Sequence, residues 1–211
     1  MERHKLQRWG VFLALYLLTW VGGWLTYPGR LQAEAVAVWE LDDYRHLERY
    51  ARAAYGAGSD GAGLRAWQDR RRRWVQRTEG LVCEPCADSP TVAELAQRGV
   101  RAALCTHEVV ACAPGRHAEY GRRLHEMWHR RFSLNEEQPK ERTVIGLYYA
   151  KWSNTIAINI WGDGESWDAV RIWDPDWERD PNFDLWNTLG REIRTDFTDR
   201  FLVPVPFSPV R

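Results

Sequence analysis

Nineteen consecutive uncharged residues, Trp9 to Tyr27, constrain this chain more than any other feature. As a helix the run is about 28 Å long, close to the hydrocarbon thickness of a bilayer. Aromatics stand where the two interfaces would fall: Trp9 at one end, Trp24 and Tyr27 at the other. Pro28-Gly29 then stops the helix. The expectation is one transmembrane helix over 9–27, preceded by a basic flank over 1–8. A cleaved secretory signal is the competing reading, because Arg3, Lys5 and Arg8 form a basic leader. Against it, the apolar run is long, and the only A-x-A-like triplet, Ala33-Glu34-Ala35, lies beyond Pro28. In either case the basic flank stays on the cytoplasmic or matrix side, which places the rest of the chain across the membrane.

About 180 residues remain, enough for one ordinary domain or two small ones. Formal net charge is zero, but from Thr143 onward seven Lys/Arg stand against eleven Asp/Glu. That imbalance fits an internal or partner contact between a basic part and an acidic part. It argues against nucleic acid as a main partner.

The pattern predicts an α+β body: a helical half over 28–142, then a small antiparallel sheet with one packed helix over 143–211. Asp42 or Asp43 caps a helix with Tyr44, Leu47, Ala51 and Ala54 on one face. A glycine-rich link over 56–63 precedes a second helix, to about Thr78, that carries Arg70 to Arg73 in a row. Those arginines read as a solvated face, or as a contact for phospholipid headgroups or an acidic partner. Thr91 and Glu94 form a capping box before a helix with Val92, Leu95, Ala96, Gly99 and Ala103 inward. Another helix runs from Arg116 to about Phe132. The segments 143–150 and 154–162 are rich in β-branched and aromatic residues and predict a hairpin, with a turn at Gly162-Asp163-Gly164. A third strand is expected over 169–173. A helix follows from Asp180, its apolar face formed by Trp186, Leu189, Ile193 and Phe197. Prolines 204, 206 and 209 confine the tail to an edge strand or an extended arm.

Four cysteines are spaced C-x2-C-x18-C-x6-C: Cys83, Cys86, Cys105 and Cys112. On the oxidising side of a membrane an even count favours disulfides, joining Cys83 or Cys86 to Cys105 or Cys112. A zinc knuckle, with His107 and His117 nearby, and redox thiols are the alternatives.

One stretch carries a catalytic pattern. His125-Glu126-Met127-Trp128-His129 is H-E-x-x-H, which on an α-helix sets two imidazoles one turn apart. These five residues resemble the signature of zincin metalloproteases. The resemblance implies zinc on His125 and His129, with Glu126 as general base. Arg122, Arg123, Arg130 and Arg131 crowd the motif, whereas zincin helices are mostly uncharged there, and no G-x-x-H follows.

Thirteen tryptophans, six of them between Trp152 and Trp186, predict an aromatic core or interface. Asp174, Asp176, Glu178 and Asp180 alternate, but lack the glycine and closing glutamate of an EF-hand loop. The expected role is that of a non-enzymatic, single-pass accessory subunit without a cofactor. Its partners would be the lipid bilayer and other subunits of a membrane complex, in a bacterial envelope or a mitochondrial inner membrane. The alternative is a membrane-tethered zinc hydrolase acting through His125, Glu126 and His129.

Overall fold

A computed structural model describes residues 11–12, 36, 38–41, 43–56, 62–73, 79–86, 89–129, 142–164, 166, 186 and 188–204. Nearly all of the run 9–27 lies outside them, as do the expected strand 169–173 and the acidic loop 174–180. Within that run only Val11–Phe12 (β1) is described; it pairs antiparallel with Trp39–Glu40 (β2), so these two residues are extended and lie beside the domain where the sequence predicts the start of a transmembrane helix. No helix among the described residues is long and apolar enough to cross a membrane.

Five strands form the main sheet: β3 (Cys83–Pro85), β4 (Leu104–Cys112), β5 (Arg142–Ala150), β6 (Ile156–Asp163) and β7 (Arg194–Leu202). Their order is β3-β5-β6-β4-β7, and every neighbouring pair is antiparallel. β4 and β5 are therefore parallel to each other, with β6 between them, and the chain joins them through helix α4 (His117–Leu124). β6 and β7 are likewise parallel around β4, and the link between them includes helical residues 188–191. This is the βαββαβ order of ferredoxin-like domains, with β3 added outside β5.

The predicted hairpin is present as β5 and β6. β6 is buried along almost its whole length, as expected for a strand covered on both faces. Ile156, Ile158 and Ile160 point to one core, and Ala157 and Trp161 to the other. On the first face Leu95 of α3 (Val92–Gln97) and the extended residues Val36 and Val38 complete the packing. On the second, Tyr120 and Leu124 of α4 and Trp186 close it. The body is thus a sheet with a layer on each side.

The region 28–142 is less helical than its sequence predicts, because β3 and β4 lie within it. β4 is an inner strand, paired along its length with β6 on one side and β7 on the other. The helix expected through Phe197 is also corrected. Helical residues end at Arg191, Ile193 sits in a turn, and Phe197 belongs to β7. β7 is an edge strand ending at Leu202, two residues before Pro204, as the prolines require. Gly162 and Asp163 lie in β6 rather than in a turn, and Asp163 is buried.

Capping follows the sequence closely. Asp43 accepts from the His46 N–H at 2.7 Å and opens α1 (Tyr44–Tyr55). Thr91 Oγ1 accepts from the Glu94 N–H, while the Thr91 N–H donates back to Glu94 Oε2 at 2.7 Å. A third donor at this end, the Val92 N–H, meets Glu40 Oε2 at 3.0 Å. Of the five residues expected on the inner side of α3, Leu95 is fully buried while Ala96 and Gly99 are exposed, because the helix stops at Gln97. So short a helix depends on its cap. Thr91→Ala is expected to cost about 1 kcal/mol, and Thr91→Gly only a few tenths, by urea unfolding.

Candidate functional site

The HEMWH residues do not continue α4 as an α-helix. They form one wider, π-helical turn over His125–His129. The motif thus departs from the regular α-helix on which its metal-binding spacing is read. Glu126 is exposed and His125 half-buried; the His129 side chain lies outside the described residues. No three His, Cys, Asp or Glu side chains gather into a metal-binding group among the described residues. The nearby arginines instead hold α4 in place. Glu119 bonds Arg116 and Arg123, each at 2.8 Å, and Arg116 Nη1 donates to the Glu192 carbonyl.

The four cysteines are free thiols, and strand register keeps them apart. β3 and β4 are three strand spacings from each other, about 14 Å. A disulfide spans Cα atoms no more than about 7 Å apart. Cys86 still belongs to this ladder, since its N–H donates to the Leu147 carbonyl. The expected bridges from Cys83 or Cys86 to Cys105 or Cys112 therefore do not fit this fold. Cys105 and Cys112 sit at opposite ends and on opposite faces of β4; Cys83 and Cys86 also face opposite cores. Burial pushes the Cys83 and Cys112 thiols up to about 11 and Cys86 to about 12, and raises Cys105 as well. At neutral pH these are protonated, packed side chains and not activated nucleophiles.

Sequence reasoning missed a polar network between α4 and the sheet. Asn159 on β6 donates through Nδ2 to Glu108 Oε2 on β4 at 2.8 Å and to the Tyr120 hydroxyl at 2.9 Å. Burial, with the Glu108 charge adding to it, holds the Tyr120 phenol well above its ordinary value. Further along the same face Thr106 Oγ1 donates to Asp163 Oδ2 at 2.5 Å, both residues fully buried. These bonds tie α4, β4 and β6 together. The available signal was polar residues two apart, Thr106 and Glu108, inside an otherwise apolar run.

What the fold sends outward is aromatic. Trp152 is 76% exposed and Leu81 54% exposed. Cys83 pairs with Ala150, and the Lys151 N–H donates to the Val82 carbonyl, extending that ladder by one step. Leu81 therefore lies at the root of the turn that carries Trp152. The turn is well anchored. Ser153 bonds back to Ala150 and accepts from Thr155 N–H, while the Asn154 and Thr155 carbonyls accept from Gly115 and Cys112. Lys151 is ion-paired with Glu84. The turn thus holds a large indole out to solvent.

Comparison of the chain with protein-family profiles, with curated proteins and with solved structures finds no match in any of the three. Fold order alone fixes no activity, since ferredoxin-like domains host many.

Proposed function

We propose that this chain is a non-enzymatic, single-pass membrane-anchored accessory subunit whose α+β domain docks other subunits of a membrane complex. The observation that carries the reading is the anchored hairpin turn presenting Trp152 beside the Leu81 segment. The uncharged run Trp9–Tyr27 supports the anchor, with residues 1–8 on the cytoplasmic or matrix side and the domain opposite. Inside the domain Asn159 bonds Glu108 and Tyr120, and Thr106 bonds Asp163, cross-links between α4, β4 and β6 that suit a scaffold.

Extraction in mild detergent followed by a native gel tests this. The full-length chain is expected to migrate with partners and to resist carbonate washing of the membrane. Trp152→Ala should weaken that association by about tenfold or more, with stability changed by less than about 0.5 kcal/mol, as for an exposed site. A chain that travels alone overturns the proposal. So does stoichiometric zinc together with a hydrolase activity abolished by Glu126→Gln.

A further inference from the structure

We propose that the α1–α2 helix pair is a headgroup-docking surface that lies against the anionic lipid of the same bilayer that holds the anchor. This rests on the anchored reading and adds the surface through which the domain would meet the membrane.

The chain path gives the placement. Fifteen residues separate Tyr27 from the cap Asp43. Within that link Val36 and Val38 are already packed on the sheet, and Glu40 caps α3. The domain therefore begins close in sequence to the end of the apolar run, and α1 is the first helix after it among the described residues.

The exposed side of α1 has the composition of an interfacial element. Leu47, Ala51 and Ala54 turn inward, whereas Tyr44, Arg45, Glu48, Arg49, Arg52 and Tyr55 are exposed on one continuous arc, in which Arg52 pairs with Glu48 at 2.7 Å and Arg45 and Arg49 carry the remaining charge. Tyr55 is 78% exposed, and Trp39, 42% exposed, sits 6.4 Å from the Tyr50 ring just ahead of the helix. Aromatic rings with one polar tip, beside arginines, suit the boundary between acyl chain and headgroup.

α2 (Ala62–Arg71) adds charge. Arg65 Nη1 donates to the Ala53 carbonyl at 3.0 Å, fixing α2 against α1. α2 then ends in the Arg70–Arg73 run, with Arg71 stacked 5.2 Å from the Trp67 ring and Arg72 bonded to Asp69. From Asp43 to Arg73 the chain holds eight arginines and four acids. Such a surface is complementary to phosphate headgroups, and each arginine adds to the attraction where the leaflet facing the domain carries anionic lipid.

The test uses full-length protein in nanodiscs of phosphatidylcholine, either alone or with roughly a third phosphatidylglycerol. The readout is trypsin cleavage at Arg45, Arg49 and Arg70–Arg73, followed by mass spectrometry. Cleavage there is expected to be about fivefold slower or more in the anionic discs. High salt should remove the protection by shortening the screening length to a few ångström. The exposed pair Arg45→Gln/Arg49→Gln should reduce protection at Arg70–Arg73 without unfolding the domain. Equal rates in the two discs overturn the proposal. So does protection that appears only when membrane proteins are added back, which would assign the surface to an acidic subunit. Co-elution with the discs reads the anchor separately. A chain that stays out of both discs removes the anchor and this proposal together; a chain that enters but is cleaved equally removes only the docking.

Discussion

Replacing Gly146 by alanine is expected to cost about 3 kcal/mol, the upper end of the range for forcing atoms into a packed core. β5 carries an irregularity between Val144 and Gly146, and the Tyr148 ring folds back over the glycine. A Cβ at residue 146 would fall inside that phenol. Tyr148 is only 4% exposed and sits in the core with Leu95 and Ile158, so it has no room to swing away. Urea unfolding of the purified protein measures the loss. In a Tyr148→Ala background the same glycine change should cost less than about 1 kcal/mol, because the obstructing ring is gone. A change below about 0.5 kcal/mol in the parent would mean that Tyr148 does not lie where the fold puts it.

Raising the pH above 9 is expected to unfold the domain progressively, by a few kcal/mol up to about pH 12. Burial pushes Cys83 and Cys112 to about 11 and Cys86 to about 12, above the ordinary thiol value of 9.0. A group raised on folding contributes fully while both states are protonated, below about pH 9. Above that value the unfolded thiols ionise first and draw the equilibrium toward themselves. The contribution is gone once pH passes the folded values. Buried Tyr120 and Tyr148 act in the same direction. Unfolding midpoints from pH 7 to 12 test this, and Cys86→Ala should flatten the curve. Alkylation of the native thiols at pH 8 should run at least about tenfold slower than in urea. A midpoint constant to pH 11 would contradict the burial of these groups.

The β5–β6 hairpin was legible because two apolar, β-branched runs flank a short polar link. The caps at Asp43 and Thr91 were legible because they depend only on residues three apart. β4 was hidden. His107 and Glu108 interrupt its apolar pattern, and Glu108 meets there a partner distant in sequence, Asn159. Its cysteines drew attention as staples, whereas they are core thiols. β7 was read as helix because Trp186, Leu189, Ile193 and Phe197 happen to fall at helical spacing. Gly190 and the turn at Ile193 were the missed punctuation. As an edge strand, β7 carries polar residues on both faces, so it shows little alternation to find. The HEMWH motif could not reveal its own wider turn. Nor could the sequence place Trp152, whose turn is held from another segment by the Gly115 and Cys112 N–H groups.

The position of β4 has a consequence during synthesis. Its partners β6 and β7 both emerge from the ribosome later, and β7 spans Arg194–Leu202 near the end of the chain. Until then a growing polypeptide carries Val109 and Val110 on a strand whose backbone lacks a neighbour on one side. A message truncated before codon 194 would leave that side open for good and invite self-association. Nonsense lesions late in the gene should therefore yield aggregates in place of a shortened working protein.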